Sequence, residues 1–236
     1  MALPKIDVPI YDLKLHSTGK EIKYRPFLVK EEKILFMAME GDDPVEQVTA
    51  MKQIINNCVI SEIEVDDLPL FELEHILLNL RSKSVDNTAD IIIKCQEETC
   101  GADIPVSLKL DEIKIVVDET HEKEIDITPT IGIKMKYPNI ETMRAIGETT
   151  DELSNMFAMV ESCVDCIYDD EDVYKLEDYS NQEKEEFFDS LTQNQFMRIR
   201  NFFDTIPRLS HTIEGKCPAC KTPFKTAIEG LENFFG

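Results

Sequence analysis

The chain has 236 residues, of which 42% are hydrophobic, so it can bury the core of one sizeable domain or two small ones. Its formal net charge of −22 repels nucleic-acid phosphates and anionic membrane surfaces, which argues against both as partners. No apolar run approaches the roughly 20 residues of a membrane span, and the first residues show no signal-peptide pattern. We expect a protein of a reducing compartment whose partners are basic or mixed-charge protein surfaces.

Residues 1–87 are predicted to form an extended N-terminal arm followed by helices. Prolines punctuate the first 30 residues between β-branched and aromatic residues, a pattern that favours extended segments forming either a strand pair or an arm. Helical spacing then appears in the segments LVKEEKILFMAME, DPVEQVTAMKQIINNCVI and DLPLFELEHILLNLRSKSV. The third segment predicts a buried apolar stripe made of Leu70, Leu73, Ile76, Leu77 and Leu80.

The pattern changes near residue 88. Residues 88–138 are rich in Ile and Val with period-2 alternation, which predicts an antiparallel β segment. Residues 139–208 return to helical spacing, with a capping box predicted at Ser180, and residues 209–236 return to strand character. We expect these parts to form one compact unit of the α+β class, with helical segments around a small antiparallel sheet.

Two cysteine pairs share a context that predicts metal binding. Cys95 and Cys100, like Cys217 and Cys220, each follow a strand-like run and precede turn residues and another such run. Two knuckles of this kind complete a tetrahedral four-sulfur zinc shell. Closing the 116-residue loop between them costs only about 4 kcal/mol, whereas a structural zinc site contributes about 10 to 16 kcal/mol. We predict a split zinc-ribbon-like site, with residues 88–138 and 209–236 each supplying one knuckle around a folded insertion.

Two alternatives stay open for the cysteines. The four predicted ligands could be loosely paired free thiols. Cys163 and Cys166 lie inside a helical pattern whose apolar face includes Cys163, and carboxylates surround both, which favours a core role over redox chemistry. A zinc shell made by Cys163 and Cys166 with Cys217 and Cys220 is a minor rival.

The sequence contains no recognisable catalytic constellation. Its four histidines lack metalloprotease spacing, its eight glycines form no phosphate-binding loop, and no carboxylate pair stands out among 47 acidic residues. We therefore predict no catalytic residue, no organic cofactor and no small-molecule substrate. An enzyme that uses Cys163 or Cys166 is the remaining enzymatic alternative.

In its second half the chain resembles the baseplate hub and hub-assembly proteins of T-even-like contractile-tailed bacteriophages. The resemblance lies in an acidic tyrosine segment, a helix ending in a phenylalanine pair and proline, a cysteine pair, and a terminal G-L-x-x-F-F. The extended start and IIIKCQEETCG match more weakly. The resemblance implies a non-enzymatic role in building or forming the tail baseplate hub, with other hub proteins as partners. The host cytoplasm during assembly, and the virion tail baseplate, are the implied locations.

Two segments are candidates for docking to a partner. Leu231, Phe234 and Phe235 lie near the end of the chain, where apolar residues either fold back onto the domain or contact another protein. The N-terminal arm could add a strand to a neighbouring sheet or belong to a sheet of its own.

The rival functional class is a zinc-ribbon protein that binds nucleic acid or serves transcription. It predicts salt-sensitive binding through Lys216, Lys221 and Lys225 near the second cysteine pair. The charge of −22 opposes this hypothesis.

Overall fold

The chain divides into two compact units. A computed structural model describes residues 6–39, 44–146 and 152–230. Unit 1 consists of residues 1–116 and 208–236, and unit 2 consists of residues 117–207. Unit 2 is thus inserted between two parts of the sequence that fold together in unit 1.

Three helices of unit 1 coincide with the three segments that helical spacing predicts. They are α1, Val29–Met39, α2, Pro44–Cys58, and α3, Leu70–Ser84. Helix α2 begins at Pro44, where the missing N–H would have no helical partner anyway. Four members of the predicted stripe of α3 pack into the core: Leu73, Ile76, Leu77 and Leu80 are at most 5% exposed. The fifth, Leu70, lies at the first position of the helix and is only half-buried.

The N-terminal segment forms a strand pair, one of the two predicted possibilities. Strands β1, Tyr11–Lys14, and β2, Glu21–Tyr24, pair antiparallel. The turn between them is fixed by Glu72, a fully buried carboxylate of α3. Glu72 accepts hydrogen bonds from the backbone N–H groups of His16, at 2.9 Å, and Ser17, at 3.1 Å, and from the Ser17 hydroxyl at 2.8 Å. These three bonds offset the cost of burying the charge.

The other strands of unit 1 form two long hairpins and a short edge strand. They are β3, Thr88–Lys94, β4, Asp103–Lys109, β5, Lys114–Val116, β10, Arg208–Lys216, and β11, Pro223–Glu229. Strands β3 and β4 pair with each other, whereas β10 lies between β11 and β5. The pairing of β10 with β5 joins the two sequence parts of unit 1 in one sheet.

Unit 2 has a four-stranded antiparallel sheet and helices. The strands, in spatial order, are β6, Glu124–Asp126, β7, Gly132–Met135, β8, Val164–Tyr168, and β9, Val173–Tyr174. The helices are α4, Ile140–Ile146, α5, Glu152–Cys163, α6, Asn181–Asp189, and α7, Gln193–Asp204. Helix α6 begins with the predicted capping box between Ser180 and Glu183, and Thr192 and Gln195 form a second one before α7.

The predicted mixture of helices and small antiparallel sheets is confirmed, with two differences in detail. Among the described residues the strands form four separate sheets, whereas the sequence predicts one. The helical pattern expected to include both Cys163 and Cys166 ends at Cys163, and Cys166 lies on β8. In the part of the chain that is described, no helix is long and apolar enough to cross a membrane.

Candidate metal centre

Each of two hairpins in unit 1 places a cysteine directly after its first strand. Cys95 follows β3, and Cys217 follows β10. The N–H of Cys95 donates to the carbonyl of Ala102 at 2.9 Å, and the N–H of Cys217 donates to the carbonyl of Thr222 at 3.0 Å. These bonds continue the two ladders beyond the strands, so the position of each cysteine is set by its hairpin.

The second cysteine of each pair lies in a turn with a common backbone feature. The residue after Cys100 is Gly101, with a φ of +55°, and the residue after Cys220 is Lys221, with a φ of +65°. A left-handed residue at this position reverses the chain and returns the preceding thiol towards the first cysteine. Gly101 adopts this conformation without strain, whereas Lys221 does so at a cost.

The two knuckles bring four sulfur atoms to one point. Sγ of Cys95 lies 3.7 Å from Sγ of Cys220, and Sγ of Cys100 lies 3.8 Å from Sγ of Cys217. All four sulfurs are within 4.8 Å of one another. The thiols are free, and a tetrahedral shell with Zn–S bonds of about 2.3 Å requires sulfur atoms about 3.8 Å apart. The spacing fits a metal ion and is far too long for disulfides.

Backbone N–H groups point at three of the four sulfurs. The donor lies two residues after its cysteine in each case: Glu97 for Cys95, Ala102 for Cys100 and Thr222 for Cys220. Such hydrogen bonds stabilise a thiolate over a thiol. The turns therefore both aim the sulfurs and favour their metal-binding form.

The thiols influence one another's ionisation. Hydrogen bonds from the side chain and backbone of Thr222 lower the pKa of Cys220 to about 6. The backbone N–H of Glu97 acts in the same direction on Cys95, but burial and the neighbouring sulfurs outweigh it and raise the pKa of Cys95 to about 12. Four thiolates at these distances repel one another unless a cation lies between them. A divalent metal ion at the centre would offset this repulsion.

The donor set limits which metals fit. Within the described residues, these cysteines are the one group of three or more His, Cys, Asp or Glu side chains close enough to hold a metal ion. Four sulfur ligands suit zinc or iron and do not suit calcium or magnesium. A shell with four protein ligands leaves no open coordination position, which is typical of a structural site.

The other three cysteines are not members of this cluster. Cys163 is fully buried at the end of α5, and burial raises its pKa; burial also raises the pKa of the half-buried Cys166. Cys58 is fully buried with its sulfur 3.7 Å from Nη1 of Arg25, and burial raises its pKa to about 11. A raised pKa disfavours the reactive thiolate in all three, consistent with packing roles.

Unit 2 contains a second feature that the sequence does not predict, a largely apolar cavity of about 310 Å³. Its walls include Tyr174, Tyr179 and Phe187. The sequence signal for this cavity is the acidic tyrosine segment, in which aromatic residues lie within a very acidic stretch. The docking candidates Leu231, Phe234 and Phe235 lie outside the described residues.

The fold and the site define a mixed α and β protein with a four-cysteine cluster suited to a metal ion. The family follows from sequence comparison: the family model described as T4 bacteriophage base plate protein matches residues 8–236. The chain belongs to this family of T4-like phage baseplate proteins, which confirms the predicted resemblance. No curated protein and no solved structure matches it. Membership indicates a structural role in the phage tail, with other baseplate or tail proteins as partners.

Proposed function

We propose that this protein is a non-enzymatic subunit or assembly factor of the tail baseplate hub. It acts through protein–protein contacts and is stabilised by one structural zinc ion bound by Cys95, Cys100, Cys217 and Cys220. The observation that carries the proposal is the convergence of these four thiols in a chain of the baseplate family. Zinc would supply folding free energy, because its ligands come from the two distant sequence parts of unit 1.

The energetic balance favours a stabilising role for the metal. The loop between Cys100 and Cys217 costs about 4 kcal/mol to close, against about 10 to 16 kcal/mol for a structural zinc site. The closed four-sulfur shell offers no position to a substrate or a reactive water. A stabilising site is therefore the better interpretation than a catalytic one.

The surface near the second knuckle supports protein contacts over nucleic-acid binding. The Nζ of Lys225 forms an ion pair with Glu214 at 2.6 Å, and the Nζ of Lys221 donates to the carbonyl of Pro218 at 2.8 Å. Two of the three lysines therefore have a partner within the hairpin, while Lys216 is exposed. The net charge of −22 opposes a phosphate backbone. The net negative charge of the chain instead favours basic protein partners and discourages premature self-association.

The test is genetic complementation combined with mass spectrometry. Phage lacking this gene would infect hosts that supply the wild-type chain, the Cys217→Ser variant, or the Cys166→Ser variant as a matched control outside the cluster. We expect wild type and Cys166→Ser to restore infectious particles and Cys217→Ser to fail. The chain should be found at a fixed ratio to hub proteins, either in mature tails, as a subunit, or only in intermediates, as an assembly factor. Absence from both would contradict the proposal.

A further inference from the structure

The apolar cavity of unit 2 is built from the second half of its sheet and from α6. Its volume is about 310 Å³, the lower end of the range for ligand pockets, so it suits one or two apolar side chains. Leu176 and Phe188 are buried beneath it, at 8% exposure each, and Tyr179 lies at its rim with 39% exposure. The cavity is accessible from outside and has an apolar base.

Hydrogen bonds hold the walls of this cavity in place. The hydroxyl of Tyr174 donates to Oδ2 of Asp169 at 2.9 Å. Oδ1 of Asp169 accepts from the N–H groups of Glu171, at 2.9 Å, and Asp172, at 2.8 Å, which closes the turn between β8 and β9. The same N–H bonds lower the pKa of Asp169, so this carboxylate remains an anion near neutrality. Walls fixed in advance lower the entropic cost of accepting a side chain.

The surroundings of the cavity are strongly acidic. Residues 165–189 contain eleven acidic and two basic residues. Both lysines of this segment form ion pairs within the chain: Lys175 with Glu177 at 3.9 Å, and Lys184 with Glu161 at 2.9 Å. The exposed side chains of the turn at 170–172 are all carboxylates. An incoming segment therefore meets an apolar cavity within a negative field.

We propose that this cavity is a docking site for a basic segment of another baseplate protein, which inserts one large apolar side chain while its lysines or arginines face the acidic turn. The inference rests on the proposed function for the identity of the partner. Charge complementarity favours a basic segment over a second copy of this chain, because the chain is itself highly acidic and would be repelled by the acidic turn. Even its apolar C-terminal residues follow Glu229 and include Glu232.

Site-specific photo-crosslinking in infected cells tests the proposal with the full chain. The photoreactive amino acid p-benzoylphenylalanine replaces Tyr179, an aromatic-for-aromatic change at the rim, and Met197, which is 50% exposed on α7, serves as the control position. Mass spectrometry identifies the crosslinked peptide. We expect Tyr179 to capture a baseplate-protein segment with more Lys and Arg than Asp and Glu and with a large apolar residue, and Met197 not to capture it.

A charge series makes the test specific. The substitutions Asp170→Asn, Glu171→Gln and Asp172→Asn together should lower the crosslink yield about tenfold, because the negative rim speeds encounter with a basic segment. The matched control neutralises three exposed carboxylates of unit 1, Glu62→Gln, Glu64→Gln and Asp67→Asn, and should leave the yield unchanged. Equal yields in the two triple variants would overturn the proposal.

The remaining outcomes separate this inference from the proposed function. Capture of a second copy, capture of an acidic segment, or no capture above the Met197 control, in a chain still found with the baseplate, would overturn the docking site alone. Capture of a basic segment from a protein outside the tail would overturn the baseplate partner and the proposed function. In that case the charge series would still show whether the cavity selects basic segments.

Discussion

Sγ of Cys100 lies 3.8 Å from Sγ of Cys217, although 116 residues separate the two positions in the sequence. All of unit 2 lies within that interval. The first knuckle can therefore meet its partner only after the chain beyond unit 2 has been made. Zinc would lock this late contact in the folded chain.

Loss of one cysteine of the cluster should destabilise unit 1. Cys217 is fully buried, so Cys217→Ser removes a ligand from the best-shielded corner of the shell. We expect loss of the metal and a fall in Tm on the order of 10 °C or more, equivalent to several kcal/mol in a chain of this size. Thermal melting followed by circular dichroism, with metal content measured on the same samples, checks this. Cys166→Ser should keep both metal and Tm, and equal melting of the two variants would contradict the account.

The left-handed residues of the two knuckles should respond to substitution in opposite directions. An added methyl at Gly101 would meet no atom within 4 Å, so Gly101→Ala tests backbone strain alone and should cost about 1 kcal/mol of unfolding free energy. Lys221→Gly relieves the strain at the equivalent position and should stabilise by up to about 1 kcal/mol. Urea unfolding of the zinc-loaded protein measures both. The same sign of change in the two variants would show that the turns are not equivalent.

The pH dependence of stability should include a contribution from His75. Burial lowers the pKa of His75, against the opposing attraction of Glu72, whose Oε1 lies 3.9 Å from Nδ1. Below the usual histidine pKa of about 6.5, the unfolded chain binds a proton that the folded chain resists, so the free energy of unfolding falls as the pH falls through this range. Urea titrations at several pH values between about 7.5 and 5.5 should show a shallower fall for His75→Gln than for wild type. Parallel curves would contradict the prediction.

The ring of Tyr168, which also lines the cavity of unit 2, should require glycine at position 132. A Cβ at Gly132 would overlap the Tyr168 side chain, so Gly132→Ala should destabilise the protein by about 1 to 3 kcal/mol. In the double variant with Tyr168→Ala this clash disappears. The double variant should then lose less than the sum of the two single losses, as a double-mutant cycle measures. Additive losses would mean that the two residues do not constrain each other.

Local sequence patterns were sufficient to predict the three helices of unit 1 and the two knuckles. The stripe of α3 and the capping box at Ser180 depend on near neighbours in the sequence, and each knuckle is specified by its own strands and turn. By contrast, the approach of Cys100 to Cys217 depends on long-range packing, so the sequence indicated it only through the similar context of the two pairs.

The errors also have a physical reason. Val160, Cys163 and Ile167 fit a helical period, but Val164–Tyr168 pairs with β7, and this sheet contact overrides the local preference. The cavity of unit 2 combines Ile131 with residues 167–188, and no short-range pattern joins these parts. The aromatic residues and the acidic turn are close in the sequence, but they form a cavity only where β8, β9 and α6 lie side by side.

The metal content of the intact protein decides whether the four cysteines hold zinc. The chain would be purified without chelators and examined by native mass spectrometry and elemental analysis. We expect one zinc ion per wild-type chain, none in Cys217→Ser, and a lower Tm when a chelator removes the zinc. A metal-free wild-type protein with four free thiols at the cluster, melting at the same temperature with and without zinc, would contradict this expectation.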